Sequence, residues 1–130
     1  MPSFFALLLM TAAPDPHPGW MVGRWQYIGP SQRPGEACNG DGGGDQVVFS
    51  RRGYWIGIAI GDYGKWWIRG DTLFQRVIEP GDGAMPTDRG TTFNMRFRRA
   101  SDHALRLSDG GWMIRCGRDV TGWFAPGTPH

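Results

Sequence analysis

From residue 20 onward, no stretch of ten or more residues keeps a helical period without Gly or Pro interrupting it. What recurs instead is a run of four to eight residues rich in Trp, Ile, Val, Phe and Tyr, closed by a turn. With 7 Trp and 13% aromatics the chain has apolar surface to bury, so its 21 Gly and 10 Pro read as turn residues rather than as signs of disorder. The pattern predicts an all-β chain of about eight strands, near 23–29, 46–50, 54–60, 65–69, 72–78, 91–99, 104–108 and 111–117. Short sequential strands joined by tight turns imply a small up-and-down antiparallel β-barrel, which leaves no strand edge exposed. A length of 130 residues allows one such domain, over 20–125, preceded by a Pro-rich lead-in (PDPHPG) at 14–19.

Pairing tests the hairpins. A two-residue turn at Asp109-Gly110 would set Leu107 opposite Trp112, Leu105 opposite Ile114 and Arg106 opposite Met113. A turn at Gly70-Asp71 would set Ile68 opposite Leu73, and Asp62-Tyr63 would turn the third strand into the fourth. Each register agrees with the alternation of its strands. Two connections are long: 30–45, which carries Cys38, and 79–90.

Compartment is read from the ends and the cysteines. Phe4–Met10 (FFALLLM) followed by Thr11-Ala12-Ala13 has the order of an h-region and a small-residue cleavage site. Residues 1–13 are therefore expected to be a signal peptide whose basic n-region is missing, as a truncated or misassigned start would give. The other reading is a short N-terminal strand or helix packed on the domain. The apolar run is well short of the roughly 20 residues that span a bilayer. In an exported chain Cys38 and Cys116 would form a disulfide; in the cytosol they would be two unrelated thiols. Export and the bridge are the favoured pair, with the protein periplasmic or secreted. Neither Cys has a second Cys or a His at zinc-ligand spacing.

Several short segments resemble one family. Gly23-Arg24-Trp25 at the start of the first strand resembles the G-x-W signature of lipocalins and related calycin barrels. The block Gly64-Lys65-Trp66-Trp67-Ile68-Arg69-Gly70-Asp71-Thr72-Leu73 is similar to the G-x-W-x-I-x-G-D-x-L segment of small secreted bacterial lipocalin-like proteins. The resemblance implies structural roles for Gly23 and Trp25, with Arg115 or Arg118 packing over that Trp. It also implies one Cys after the first strand and one at the end of the last, where Cys38 and Cys116 stand. The Gly-Trp-Phe-Ala-Pro ending at 122–126 departs from true lipocalins, which are longer and carry a C-terminal helix.

An eight-stranded barrel is either filled by its own side chains or holds one small ligand. The predicted registers turn Trp66, Ile68, Leu73, Leu107, Trp112 and Ile114 inward, and alternation does the same for Phe93, Met95 and Phe97. Trp55, Trp66, Phe93, Phe97 and Trp112 are the expected walls for a small hydrophobic or aromatic ligand; the other reading is that these rings fill the core. Gly57 and Ala59 either make room for those rings or open a cavity. Tyr54 and Trp67 would form an outer aromatic patch, and Arg96, Arg98, Arg106 and Arg115 an outer basic stripe. Asn39–Asp45 imitates a calcium loop but lacks its third alternating ligand and the closing Glu, so a surface turn is the better account.

A net charge of +2 and the lack of a recognition motif argue against nucleic acid. The three His lie in the lead-in, a turn and the terminus, and no nucleophile or zinc motif is visible. The expectation is a non-catalytic binding protein without a cofactor or metal. The alternative is a periplasmic interaction or enzyme-inhibitor module that presents the loops at 30–45 and 79–90 to a protein partner.

Overall fold

Eight antiparallel strands close on themselves, each paired with its sequence neighbours and the last with the first. They are β1 (Gly23–Ile28), β2 (Gln46–Phe49), β3 (Tyr54–Gly57), β4 (Tyr63–Arg69), β5 (Thr72–Glu79), β6 (Thr92–Ser101), β7 (Ala104–Leu107) and β8 (Trp112–Gly117). This computed structural model describes residues 14–39, 46–83, 85 and 88–130. The expected signal peptide and all but Asn39 of the 39–45 loop lie outside the described residues. Among those residues no helix is long and apolar enough to cross a membrane.

Two hairpins differ from their expected registers. Between β3 and β4 the turn spans 58–62, and Tyr63 already pairs with Ile56 in the sheet. Between β7 and β8 the connection has three residues, Ser108-Asp109-Gly110, closed by the Leu107 N–H donating to Gly111 O at 3.0 Å. Asp109 Oδ1 accepts from Gly111 N–H at 2.7 Å, and Gly110 takes the left-handed conformation (φ 92) that a three-residue hairpin of this kind needs. The result is Leu105 opposite Met113 and Arg106 opposite Trp112. A one-residue slip turns every side chain over. Met113 and Arg115 therefore point inward, while Trp112 and Ile114 point out. The Gly70-Asp71 hairpin keeps its expected register, Ile68 opposite Leu73.

One end of the barrel is packed solid. Met21, Trp25, Phe49, Trp66, Leu73 and Leu105 form its buried cluster. The lead-in stops this end instead of trailing away. Pro16 O accepts from Ile68 N–H at 2.8 Å, and the His17 ring stands edge-on to Trp66 at 5.1 Å. A 3₁₀ turn, Gly19–Met21, then inserts Met21, whose carbonyl accepts from Trp25 Nε1 at 2.9 Å.

Two segments cover the outside. The loop after β1 runs through a 3₁₀ turn, Pro34–Glu36, to Cys38, which is bonded to Cys116 of β8 with Cα atoms 5.4 Å apart. The Cys38 N–H donates to Gln26 Oε1 at 2.6 Å, pinning the loop to β1. The C-terminal residues also lie against the outer face, without forming a helix. Trp123 sits under the Arg24 guanidinium, Phe124 stands edge-on to Tyr63, and Tyr63 Oη donates to Pro129 O at 2.8 Å. Val48, outward by its pairing with Arg24, is accordingly 0% exposed.

Candidate functional site

The other end of the barrel is not filled. A half-open cup of about 670 Å³ lies there, bounded by inward residues of β1, β2, β3, β5, β6 and β8. Val47, Met95, Met113 and Phe93 supply apolar wall, Gly57 and Ala59 leave the space, and Ile60 stands at the rim. The polar groups are Tyr27, Gln46, Gln75 and Asp62. This is the composition of a small-molecule site, apolar walls with a few polar groups. Met95 and Met113 add side chains that adapt to irregular shapes.

Of the five expected wall residues only Phe93 borders the cup. It is 52% exposed, an aromatic ring at the mouth. Trp55 and Trp66 are buried in the packed end, where Trp66 Nε1 donates to Ser50 O at 3.1 Å and Trp55 Nε1 has no acceptor among the described residues. Phe97 packs edge-on to Trp20 at 5.8 Å. Trp112 is on the outer surface, its ring 4.7 Å from the Arg106 guanidinium. The barrel is divided in two. The rings plug the lower part, and smaller residues open the upper part.

Arg115 corrects the basic stripe. It is 8% exposed inside the packed end, with its guanidinium 4.8 Å from the Trp25 ring centre. Arg96, Arg98 and Arg106 remain outside, Arg96 paired with Asp71 at 3.1 Å. The outer aromatics are paired as well: Trp67 stacks on Phe74 and Tyr54 on Tyr63.

No protein-family model and no curated protein matches this chain. Among solved structures it is similar to an uncharacterized protein from Bacteroides eggerthii DSM 20697. The two share 17% identity over 73% of this chain and 98% of that one, with a TM-score of 0.45.

Asp62 is the residue whose importance the sequence conceals. It is the one charged side chain in the cup wall among the described residues. The turn that carries it is closed by the Gly57 N–H donating to Asp62 O at 2.9 Å. A Cβ at position 57 would fall on Asp62 Oδ1, so the carboxyl lies against bare backbone that only Gly provides. Burial pushes its pKa up, opposed in part by its own backbone N–H. Asp109, near the same end, has the opposite balance: the Gly111 N–H and then the Tyr27 hydroxyl hold it below the usual carboxylate range.

A pKa raised by folding means that the charged carboxylate opposes the fold. Its contribution is favourable at acid pH and is lost as pH rises through the folded pKa. Asp62→Asn is therefore expected to raise the thermal midpoint at pH 7. That gain should disappear on acidification below the ordinary carboxylate range, as followed by thermal melts across pH. A midpoint that falls in the variant at pH 7 would contradict the assignment.

Proposed function

We propose that the protein is an exported, non-catalytic, lipocalin-like barrel that binds a small hydrophobic or aromatic ligand in its open end. The observation that carries the reading is the cup: about 670 Å³ of mostly apolar, half-open space, within the roughly 300–1,000 Å³ usual for small-molecule sites. The Cys38–Cys116 disulfide supports export, because such bridges persist in oxidising compartments. Arg115 over Trp25 is the contact that the lipocalin resemblance leads one to expect.

Binding of the neutral dye N-phenyl-1-naphthylamine tests it. Titration should give a saturable rise in fluorescence. Ala59→Trp, which puts an indole into the cup from its exposed rim, should weaken that binding about tenfold while the protein stays folded by circular dichroism. A flat response from folded wild-type protein would sink the reading and leave the loop-mediated interaction module in its place.

A further inference from the structure

We infer that the cup's ligand is a cationic amphiphile, an apolar tail bearing a protonated amine, with the ammonium held by Asp62. The inference rests on the cup being a binding site and names what it selects. Three features of the wall point the same way.

The first is charge. Tyr27, Gln46 and Gln75 are neutral, and no Lys, Arg or His borders the cup among the described residues. Asp62 has no ion-pair partner there, whereas Asp71, Glu79 and Asp102 each face an Arg on the outer surface. An ionised carboxylate against apolar walls and without a counter-charge is unfavourable until a cation reaches it. The second is placement. The Gly57 backbone gives the carboxyl a bed that any side chain at 57 would occupy. The third is geometry within the cup. Asp62 lies at the end of the β3–β4 turn, while Phe93, Met95 and Met113 come from β6 and β8. A head on Asp62 leaves its tail facing the aromatic and methionine wall.

The neighbouring polar groups complete the selection. Gln46 is already committed on the outer face, where its Oε1 accepts from Arg24 Nη1 at 2.8 Å and its Nε2 donates to Gln26 Oε1 at 3.5 Å. Gln75, between Trp66 and Phe93 in the inner register, is the neutral amide that faces the cup. Its carbonyl oxygen can accept from a donor-rich head. For an anionic head, such as that of a fatty acid, the same site is repulsive.

The test uses matched eight-carbon ligands competing with N-phenyl-1-naphthylamine at pH 7: octylamine, octanol and octanoate. Octylamine should displace the dye at about one-tenth the concentration that octanol needs, the usual size of a charge-assisted hydrogen bond. Octanoate should be the weakest of the three. In Asp62→Asn the amine should fall to within about twofold of octanol measured on the same variant. If octanol binds but the amine shows no advantage, or keeps its advantage in Asp62→Asn, the cationic ligand is excluded and the cup survives as a neutral site. If neither the dye nor octanol binds, the cup reading falls and this inference falls with it.

Discussion

Reduction of the Cys38–Cys116 bridge should destabilise the protein by roughly 4–5 kcal/mol on the loop-entropy model, since the bond closes a separation of 78 residues. Against the 5–15 kcal/mol typical of whole domains, that is a large share of the total. A fall in the thermal midpoint of about 15 °C or more is expected on adding a reductant, or in the Cys38→Ser/Cys116→Ser variant. Local geometry enters with both signs: relief of backbone strain at Cys38 subtracts from the loss, and the contacts its loop gives up add to it. Cys38 holds a left-handed backbone (φ 65), which an L-residue adopts at a cost of about 1–2 kcal/mol unless its surroundings enforce it. Freed of the bond, residue 38 relaxes, and its N–H leaves Gln26 Oε1. The loop then lifts from Gln26 and Ile28, both buried on the outer face of β1. Calorimetry with and without reductant measures the effect; a midpoint shift of only a few degrees would show that the barrel carries its own stability.

The strands were legible because both of their signals, alternation and turn residues, are local. Trp66, Ile68 and Leu73 could be assigned to the interior from the 70–71 turn alone. The β7–β8 hairpin shows the limit of that method. Asp109-Gly110 has the composition of a two-residue turn, yet Asp109 uses its carboxylate to cap Gly111 and adds Ser108 to the loop. One residue of loop length moved Trp112 out and Arg115 in, so the misplaced wall residue and the misplaced basic stripe both followed from an error in a turn. The cup was illegible for another reason. Whether Gly57 and Ala59 accommodate rings or leave a void depends on where the rings go. That in turn depends on His17 of the lead-in and on Met21 of the turn that follows it, which stop the opposite end. Nothing in a Pro-rich hexapeptide states that it is a plug. Asp62 was read as a turn residue, and its cup-facing carboxyl follows only from the close approach to Gly57.

Replacement of Arg115 should be among the most damaging single changes in the packed end. Its guanidinium lies over Trp25 and serves three backbone carbonyls from two stretches of chain, 20–22 and Asp102. Nη1 donates to Val22 O at 3.0 Å, and Nη2 donates to Asp102 O at 2.7 Å and also to Trp20 O. Burial, and secondarily the charge of Arg118, lower its pKa, but a guanidinium remains charged. Arg115→Met keeps much of the apolar stem and strips all three carbonyls of their donor, at an expected cost of about 3–5 kcal/mol. Arg115→Lys keeps the charge. It cannot serve three acceptors in one plane while stacking on an indole, so a loss of about 2 kcal/mol is expected. Urea unfolding followed by Trp fluorescence gives both values, and an Arg115→Met variant within about 1 kcal/mol of wild type would refute the role. The same variants separate the two halves of the barrel. Arg115 borders the packed end and not the cup. Folded Arg115→Lys should therefore bind N-phenyl-1-naphthylamine as wild type does, while Ala59→Trp should lose binding and keep its stability.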